Sequence, residues 1–240
     1  MSVRPPFPGA IAASHLRVYD TEAPDGLAGG TPHLHTACTE AYWVVAGRGA
    51  VQTLTTSGYE EVPLEPGAFV WFTPGTIHRL VNGGELEILV LMQNAGLPEA
   101  GDMVITFPPD VLATAASYDA AAVLPDDERT TTSTGDAARV RRDLGVEGFG
   151  PLRAATEAGD PAPLREFHRA AARLVRPLVD DWGTRWRSGP LREVERTGDL
   201  LRALAEGDAA HLADASVHRL PPPAAERRMG CCGTLGTFLP

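Results

Sequence analysis

No lysine occurs anywhere in this chain; all 21 of its basic residues are arginine. That absence excludes a lysine Schiff base, and with it ordinary pyridoxal-phosphate or lysine-aldolase chemistry, as well as any phosphate loop that depends on lysine. A GC-rich coding bias explains the missing lysines better than a demand for the guanidinium fork. Cysteine is scarce too: three residues are too few, and odd in number, for a disulfide framework, which agrees with a reducing compartment. Cys231 and Cys232 are neighbours, and a bond between them would close a strained ring. The chain also lacks an apolar run of about 18 residues and a basic leader followed by an apolar stretch. Neither a membrane span nor a signal peptide is therefore expected, and the expected location is cytoplasmic.

Positive charge is short in the first part of the chain. From Met1 to Ala137, 5 arginines stand against 17 acidic residues, whereas from Ala138 onward 16 arginines meet 14 acids, and the whole carries a formal charge of −10. Such a surface repels phosphate backbones and anionic lipid, which argues against nucleic-acid and membrane partners. The arginine-rich part could instead dock on the acidic part. With 43% hydrophobic residues over 240 positions, the chain can bury a full core and has material for a second, smaller one.

Against these absences stands one dense group of chemistry-bearing residues. His33 and His35 flank Leu34, Glu40 follows after four residues and Gly47 after six more; Gly67, Gly75, His78 and Asn82 come later. Side chains alternate along a strand, so the two histidines of an HxH triplet point the same way. A nearby carboxylate and a histidine from another strand can close a cage around one ion. Three imidazoles and a carboxylate suit one divalent transition metal ion, iron, zinc, nickel, copper or manganese, and leave coordination positions for water or substrate.

The stretch His33, His35, Glu40, Gly47 resembles the first cupin motif, and Gly67, Gly75, His78, Asn82 resembles the second. Two positions depart from the family pattern. Thr73 stands where a proline belongs, with Pro74 following, and Leu27 replaces a leading glycine, with Gly26 beside it. Both lie in turns, so small backbone adjustments are expected and no loss of a ligand. The resemblance covers roughly residues 15 to 95. It implies a mainly β fold, a cupin (jelly-roll) barrel, with His33, His35, Glu40 and His78 as metal ligands.

The rest of the pattern agrees with such a barrel. Short strands are expected around 15–20, 33–35, 40–46, 50–55, 67–73, 78–82 and 86–92, separated by turns at Gly47-Arg48-Gly49, Ser57-Gly58, Pro66-Gly67, Pro74-Gly75 and Asn82-Gly83-Gly84. The unbroken apolar run Ala68 to Phe72 predicts a strand covered on both faces. Short helices fit Pro108 to Ala122, and Pro125 to Asp136 reads as a polar linker. Asp160 then caps a helix with Leu164, Phe167, Ala171, Leu174, Leu178 and Trp182 on one face, kinked at Pro177; another helix runs from about Pro190 to Ala205. The expected organisation is a barrel over 1–110, a linker with short helices over 111–137, and an α-helical C-terminal region over 138–240. The apolar stripes of these helices must be buried against the barrel or in an oligomer contact, in the simplest case a homodimer.

Parity places Tyr42 and Val44 with Glu40, and Leu80 with His78, as the expected cavity wall, while Arg79 should face away and outward. Tyr42 could offer its hydroxyl to substrate or could simply pack. Cys38 lies in the loop between two ligands, either near the metal or merely a small residue in a tight loop. His15, His168, His211 and His218 are isolated and read as surface or packing histidines. The expected function is that of a metal-dependent enzyme acting on a small organic molecule, with Glu40 and Tyr42 as candidate catalytic residues. The quercetin dioxygenase-like branch of the family suggests dioxygenation of a phenolic, enediol or carboxylate substrate. The same ligand set serves redox-neutral isomerases, epimerases and lyases, and a non-catalytic small-molecule-binding cupin is the reading from another class.

Overall fold

The computed structural model describes residues 7–132 and 136–238. Nine strands form one antiparallel sheet that wraps on itself: β1 (Ala12–Val18), β2 (His33–His35), β3 (Glu40–Thr55), β4 (Gly58–Leu64), β5 (Phe69–Phe72), β6 (Ile77–Met92), β7 (Met103–Ile105), β8 (Arg228–Met229) and β9 (Gly233–Phe238). The main path runs β4-β3-β6-β1-β9-β8, with β5 added to β3 and with β2 bridging β6 and β7.

The two long strands make the curvature. β3 pairs with β6 from Glu40↔Met92 to Leu54↔Ile77, and the register slips between Val44 and Gly49. Gly47-Arg48-Gly49 and Asn82-Gly83-Gly84, expected as turns, are therefore irregularities inside continuous strands. Gly47 (φ 74°), Gly84 (φ 140°) and Glu85 (φ 48°) take left-handed backbone, which bends the ribbon without reversing it. The turns at Ser57-Gly58, Pro66-Gly67 and Pro74-Gly75 do separate strands. Strand β4 went unnoticed in the residue pattern because Glu60, Glu61 and Pro63 interrupt it; it lies at the sheet edge, where polar faces and proline are tolerated.

Five helices follow: α1 (Ala115–Ala122), α2 (Ala137–Glu157), α3 (Ala162–Val175), α4 (Val179–Trp186) and α5 (Arg192–Ala205). α1 falls within the segment expected to hold short helices, and Asp160 accepts the Ala162 N–H at the start of α3. A single 3₁₀ turn over Arg176–Leu178 separates α3 from α4, because Pro177 cannot donate into the helical ladder. Helix α2 lies in the region expected to be helical, but no individual helix is legible there, since Gly145, Gly148, Gly150 and Pro151 lower its intrinsic propensity. Tertiary packing demands part of this composition. A Cβ at Gly148 would lie 2.1 Å from the Thr106 carbonyl oxygen, so the glycine lets α2 lie directly on the chain after β7.

Barrel and helices share one core. Val44, Val51, Leu54, Ile77, Leu80 and Ile88 from the strands are continuous with Phe149, Leu164, Phe167 and Trp182 from the helices. Arginines of α2 do reach the barrel, but mostly through carbonyl groups and not through acids. The fully buried Arg142 donates to the Thr21, Glu22 and Gly29 carbonyls, and Arg141 donates to those of Ala122 and Gly230. The region expected to be helical to its end instead returns to the sheet: β9 pairs with β1 along Ala13↔Phe238 to Val18↔Gly233. Strand β5 is not covered on both faces; Phe69 and Trp71 are 52% and 65% exposed, beside exposed Trp43 and Val45. No helix among the described residues is long and apolar enough to cross a membrane.

Candidate metal centre

The short strand β2 is buried throughout, and its register sets the cluster. His33 pairs with His78 on β6 and with Ile105 on β7, and His35 pairs with Met103. Glu40 opens β3 between Phe72 and Met92. The HxH parity puts both β2 histidines on the inner face, His78 joins them from the neighbouring strand, and Glu40 closes the group from the start of β3. His33, His35, Glu40 and His78 are all buried and come together as one cluster.

The contacts within it are close. Glu40 Oε2 lies 2.9 Å from His78 Nε2, 3.2 Å from His35 Nε2 and 4.0 Å from His33 Nε2, and the Nε2 atoms of His33 and His78 are 3.1 Å apart. Despite this proximity the geometry gives Glu40 Oε2 no hydrogen-bond partner. The opposite ring nitrogens are all engaged. His33 Nδ1 is 2.8 Å from the Thr31 carbonyl oxygen, His78 Nδ1 is 3.1 Å from that of Thr76, and His35 Nδ1 is 3.1 Å from Asp102 Oδ2. A carbonyl or a carboxylate can only accept, so each Nδ1 carries a proton and Nε2 is the ring nitrogen turned inward, its lone pair open to a metal once any second proton has left. Three lone pairs and a carboxylate oxygen left without a donor, all aimed at one point, are the arrangement a divalent metal satisfies and that protein groups alone do not. Phe72 stacks on the His78 ring at 4.6 Å and 8°, and holds it in place.

Without a metal the cluster holds protons in its place: burial opposes the charged form of His33, but Cys231 outweighs it and raises the imidazole. Burial opposes ionisation of Glu40, yet the facing His78 and His35 rings hold its carboxyl well below the usual carboxylate range. For His35 burial works against the charged form, but Asp102 and Glu40 overcome it and push the imidazole up to about 10 without a metal. Burial and the nearby His33 instead lower His78. Asp102 was not foreseen among the site residues. It is fully buried, accepts from Thr36 N, Thr36 Oγ1 and Ala37 N at 3.0, 2.7 and 2.7 Å, and is held down to about 2, burial being outweighed by His35 and Thr36. No spacing rule links it to the HxH triplet 67 residues earlier, although its place just before a short apolar strand was visible in the sequence.

His33, His35 and Glu40 of the cluster line a cavity of about 310 Å³, and His78 stands behind them. Tyr42 lines it, as expected, and burial beside the Glu40 carboxylate keeps its phenol protonated far above the ordinary range. Val44 and Leu80 are buried but belong to the core outside the cavity; Leu16, Val90, Met92, Met103 and Leu235 form the apolar wall instead. Parity predicted the face of Val44 and Leu80 correctly, but the bend in β3 and β6 carries them past the cavity. Arg79 does turn from the cluster, yet it is buried and not outward: the loop before β2 covers it, and Asp25 pairs with its guanidinium. Cys38 is buried outside the cluster, its thiol pushed up by burial and by Asp102. His15 pairs with Glu87, His168 bonds the Gly75 carbonyl, and His218 contacts Ser216, so none of these joins the cluster. A larger groove of about 580 Å³ between the Pro74-Gly75 turn and α3–α4 contains only His168 among titratable imidazoles and carboxylates. Cys231 and Cys232, by contrast, line the cavity beside His33.

Comparison with known proteins agrees with the barrel. Residues 21–92 match the family model described as a cupin domain. No curated protein matches the chain. Among solved structures, KdgF from Halomonas sp. is similar at 22% identity over 34% of this chain and 66% of its own, with a TM-score of 0.27. A cupin protein from Bacteroides fragilis is similar at 18% identity over 36% and 65%, with a TM-score of 0.27. A protein described as a predicted oxalate decarboxylase from Thermotoga maritima is similar at 21% identity over 35% and 64%, with a TM-score of 0.27. The chain spans just under two thirds of the length of each of these three relatives.

Proposed function

We propose that the protein, whose residues 21–92 match the cupin domain family within a larger barrel followed by helices, is a metal-dependent enzyme acting on a small oxygen-bearing organic molecule. The observation that carries the proposal is the convergence of His33, His35 and His78 Nε2 on Glu40 Oε2 with every Nδ1 tied back. His33, His35, Glu40 and His78 would hold one divalent transition metal ion. When bound, that ion supplies Lewis acidity and, if it is redox-active, a route for dioxygen.

The protein's own groups then have separable tasks. Asp102, Thr31 and Thr76 fix the tautomer and tilt of the three rings. Glu40, ionised throughout the physiological range, is suited to be a ligand; a carboxyl held so low is a weak base. Tyr42, kept protonated, can donate a hydrogen bond to a substrate oxygen. Leu16, Val90, Met92 and Leu235 exclude water from that oxygen.

The favoured reaction is dioxygenation, in the manner of the quercetin dioxygenase-like branch. The cavity suits it: its wall is mainly apolar, and one arginine, Arg228, borders it with Glu99. A phosphosugar would call for more than one guanidinium, whereas a single Arg228 fits an uncharged or monocarboxylate substrate. The test is dioxygen uptake by metal-replete protein against phenolic, enediol and carboxylate compounds, together with the metal content of protein purified without added metal. Uptake that requires the metal supports the proposal. Turnover of a sugar-like substrate without dioxygen would replace it with an isomerase or lyase.

A further inference from the structure

The adjacent cysteines before β9 sit against the outer nitrogen of a histidine whose inner nitrogen belongs to the metal cluster. Both Cys231 Sγ and Cys232 Sγ lie 3.8 Å from His33 Nδ1, and they lie 3.9 and 3.7 Å from the Thr31 carbonyl oxygen. That oxygen is itself 2.8 Å from His33 Nδ1. The nitrogen and the two sulfurs are mutually within 4.8 Å. A tetrahedral zinc-type site, with metal–sulfur bonds near 2.3 Å and metal–nitrogen bonds near 2.0 Å, sets sulfur–nitrogen edges of about 3.6 Å. The observed spacing is within a few tenths of an ångström of that value.

The dicysteine segment is also anchored as a built element. Its position comes from backbone contacts that do not involve the thiols. Thr31 N and Oγ1 both donate to the Cys231 carbonyl oxygen, at 3.2 and 2.6 Å, and Tyr19 N donates to that of Cys232 at 3.1 Å. Tyr19 Oη and Arg141 Nη2 hold the Gly230 carbonyl at 2.9 and 2.6 Å. Gly30 is what lets Cys232 come so close, since a Cβ there would lie 2.7 Å from the Cys232 Cα and Cβ. Five hydrogen bonds to backbone carbonyls and one glycine thus place two sulfurs beside one imidazole.

We infer that Cys231, Cys232 and His33 Nδ1 form a second metal site, for a soft or borderline thiophilic cation of the zinc and cadmium type. Two thiolates balance a divalent charge, so the buried ion costs little in net charge, and sulfur donors select such ions over magnesium or calcium. On binding, the two thiol protons leave to solvent and the His33 proton moves from Nδ1 to Nε2, so the imidazole stays neutral and the site carries no net charge. His33 then lies between two sites, its Nε2 facing Glu40 and His78 and its Nδ1 facing the cysteines. The inference concerns binding alone and does not depend on the reaction assigned to the cavity.

Cadmium alone, titrated into the reduced full-length protein under argon, tests it. The expected result is ultraviolet thiolate-to-cadmium charge-transfer absorption that saturates with two thiols protected from alkylation, Cys231 and Cys232 by peptide mass analysis. Cys231→Ser with Cys232→Ser should remove the band. His33→Ala should weaken cadmium binding at the thiols by at least about tenfold, whereas His218→Ala, far from both clusters, should leave it within about twofold. Because the alkylation readout uses the unmodified chain, it stands even if a variant folds poorly. Equal alkylation of both cysteines with and without cadmium would overturn the site, and unchanged thiolate affinity in His33→Ala would overturn the shared imidazole.

Discussion

Replacing Asp102 by asparagine isolates the least expected member of the metal centre. The carboxylate accepts from His35 Nδ1 and from three donors of Thr36 and Ala37. An asparagine oxygen can keep the Thr36 and Ala37 bonds, but its amide nitrogen then meets His35 Nδ1–H donor to donor. His35 escapes by moving its proton to Nε2, the atom that faces Glu40 and would bind metal. Metal affinity should drop by about 10- to 100-fold, the usual cost of losing an outer-shell partner, as read by competition with a chromophoric chelator at neutral pH. Stability of the metal-free protein supplies an independent reading. Asp102 is lowered from the ordinary 3.8 to about 2, so its folded-state contribution, about 2 kcal/mol, is present above pH 4 and disappears as pH falls toward 2. Its partner runs the other way: His35 is raised from 6.5 to about 10, so the same pair is intact below pH 6.5 and fades as pH rises through 10. Urea denaturation of metal-free wild type across these windows should show both losses, and Asp102→Asn should flatten them. A variant that binds metal within about twofold of wild type and keeps the acid-side loss would refute the reasoning.

Other outcomes can be checked alongside. His35→Ala or His78→Ala should lose most bound metal while far-ultraviolet circular dichroism stays near that of wild type, because the core rests on apolar strands; equal metal occupancy in the double variant would sink the ligand assignment. Arg142→Ala should destabilise the chain by roughly 2 kcal/mol in urea, since it strands the buried Gly29 carbonyl and removes the bonds to the Thr21 and Glu22 carbonyls; a change under about 0.5 kcal/mol would mean water replaces the guanidinium. A chain cut near residue 110 should be poorly soluble, because it exposes the core facing Phe149, Leu164, Phe167 and Trp182 and deprives β1 of β9; a soluble monomer as heat-stable as the full chain would show the helices to be independent.

The helical kink and the barrel illustrate what local pattern can carry. Pro177 breaks the ladder wherever it stands, so the boundary between α3 and α4 was legible from one residue. Strands β1, β2, β3, β5 and β6 were readable in the same way, from apolar alternation and turn residues, whereas β4, β7, β8 and β9 were not. Gly47-Arg48-Gly49 can end a strand or bend it, and only pairing with β6 decides for the bend. α2 was hidden for the opposite reason: its glycines weaken helix propensity but permit the close approach to Thr106 that stabilises it.

The ligand set itself was written in short-range order, because strand parity forces His33 and His35 to one side and the motif spacing brings Glu40 and His78 to the same barrel face. Contacts across long loops are different. Asp102 under His35, Asp25 over Arg79, and Cys231 and Cys232 against His33 join residues 54 to 199 positions apart. No periodicity links such pairs; their meeting depends on how β7 and β9 close onto β2 and β1, which packing of the whole chain determines. The four residues of this candidate centre are therefore legible from local order, while the groups that orient them and bring two sulfurs beside His33 meet only once the last strand has returned to the sheet.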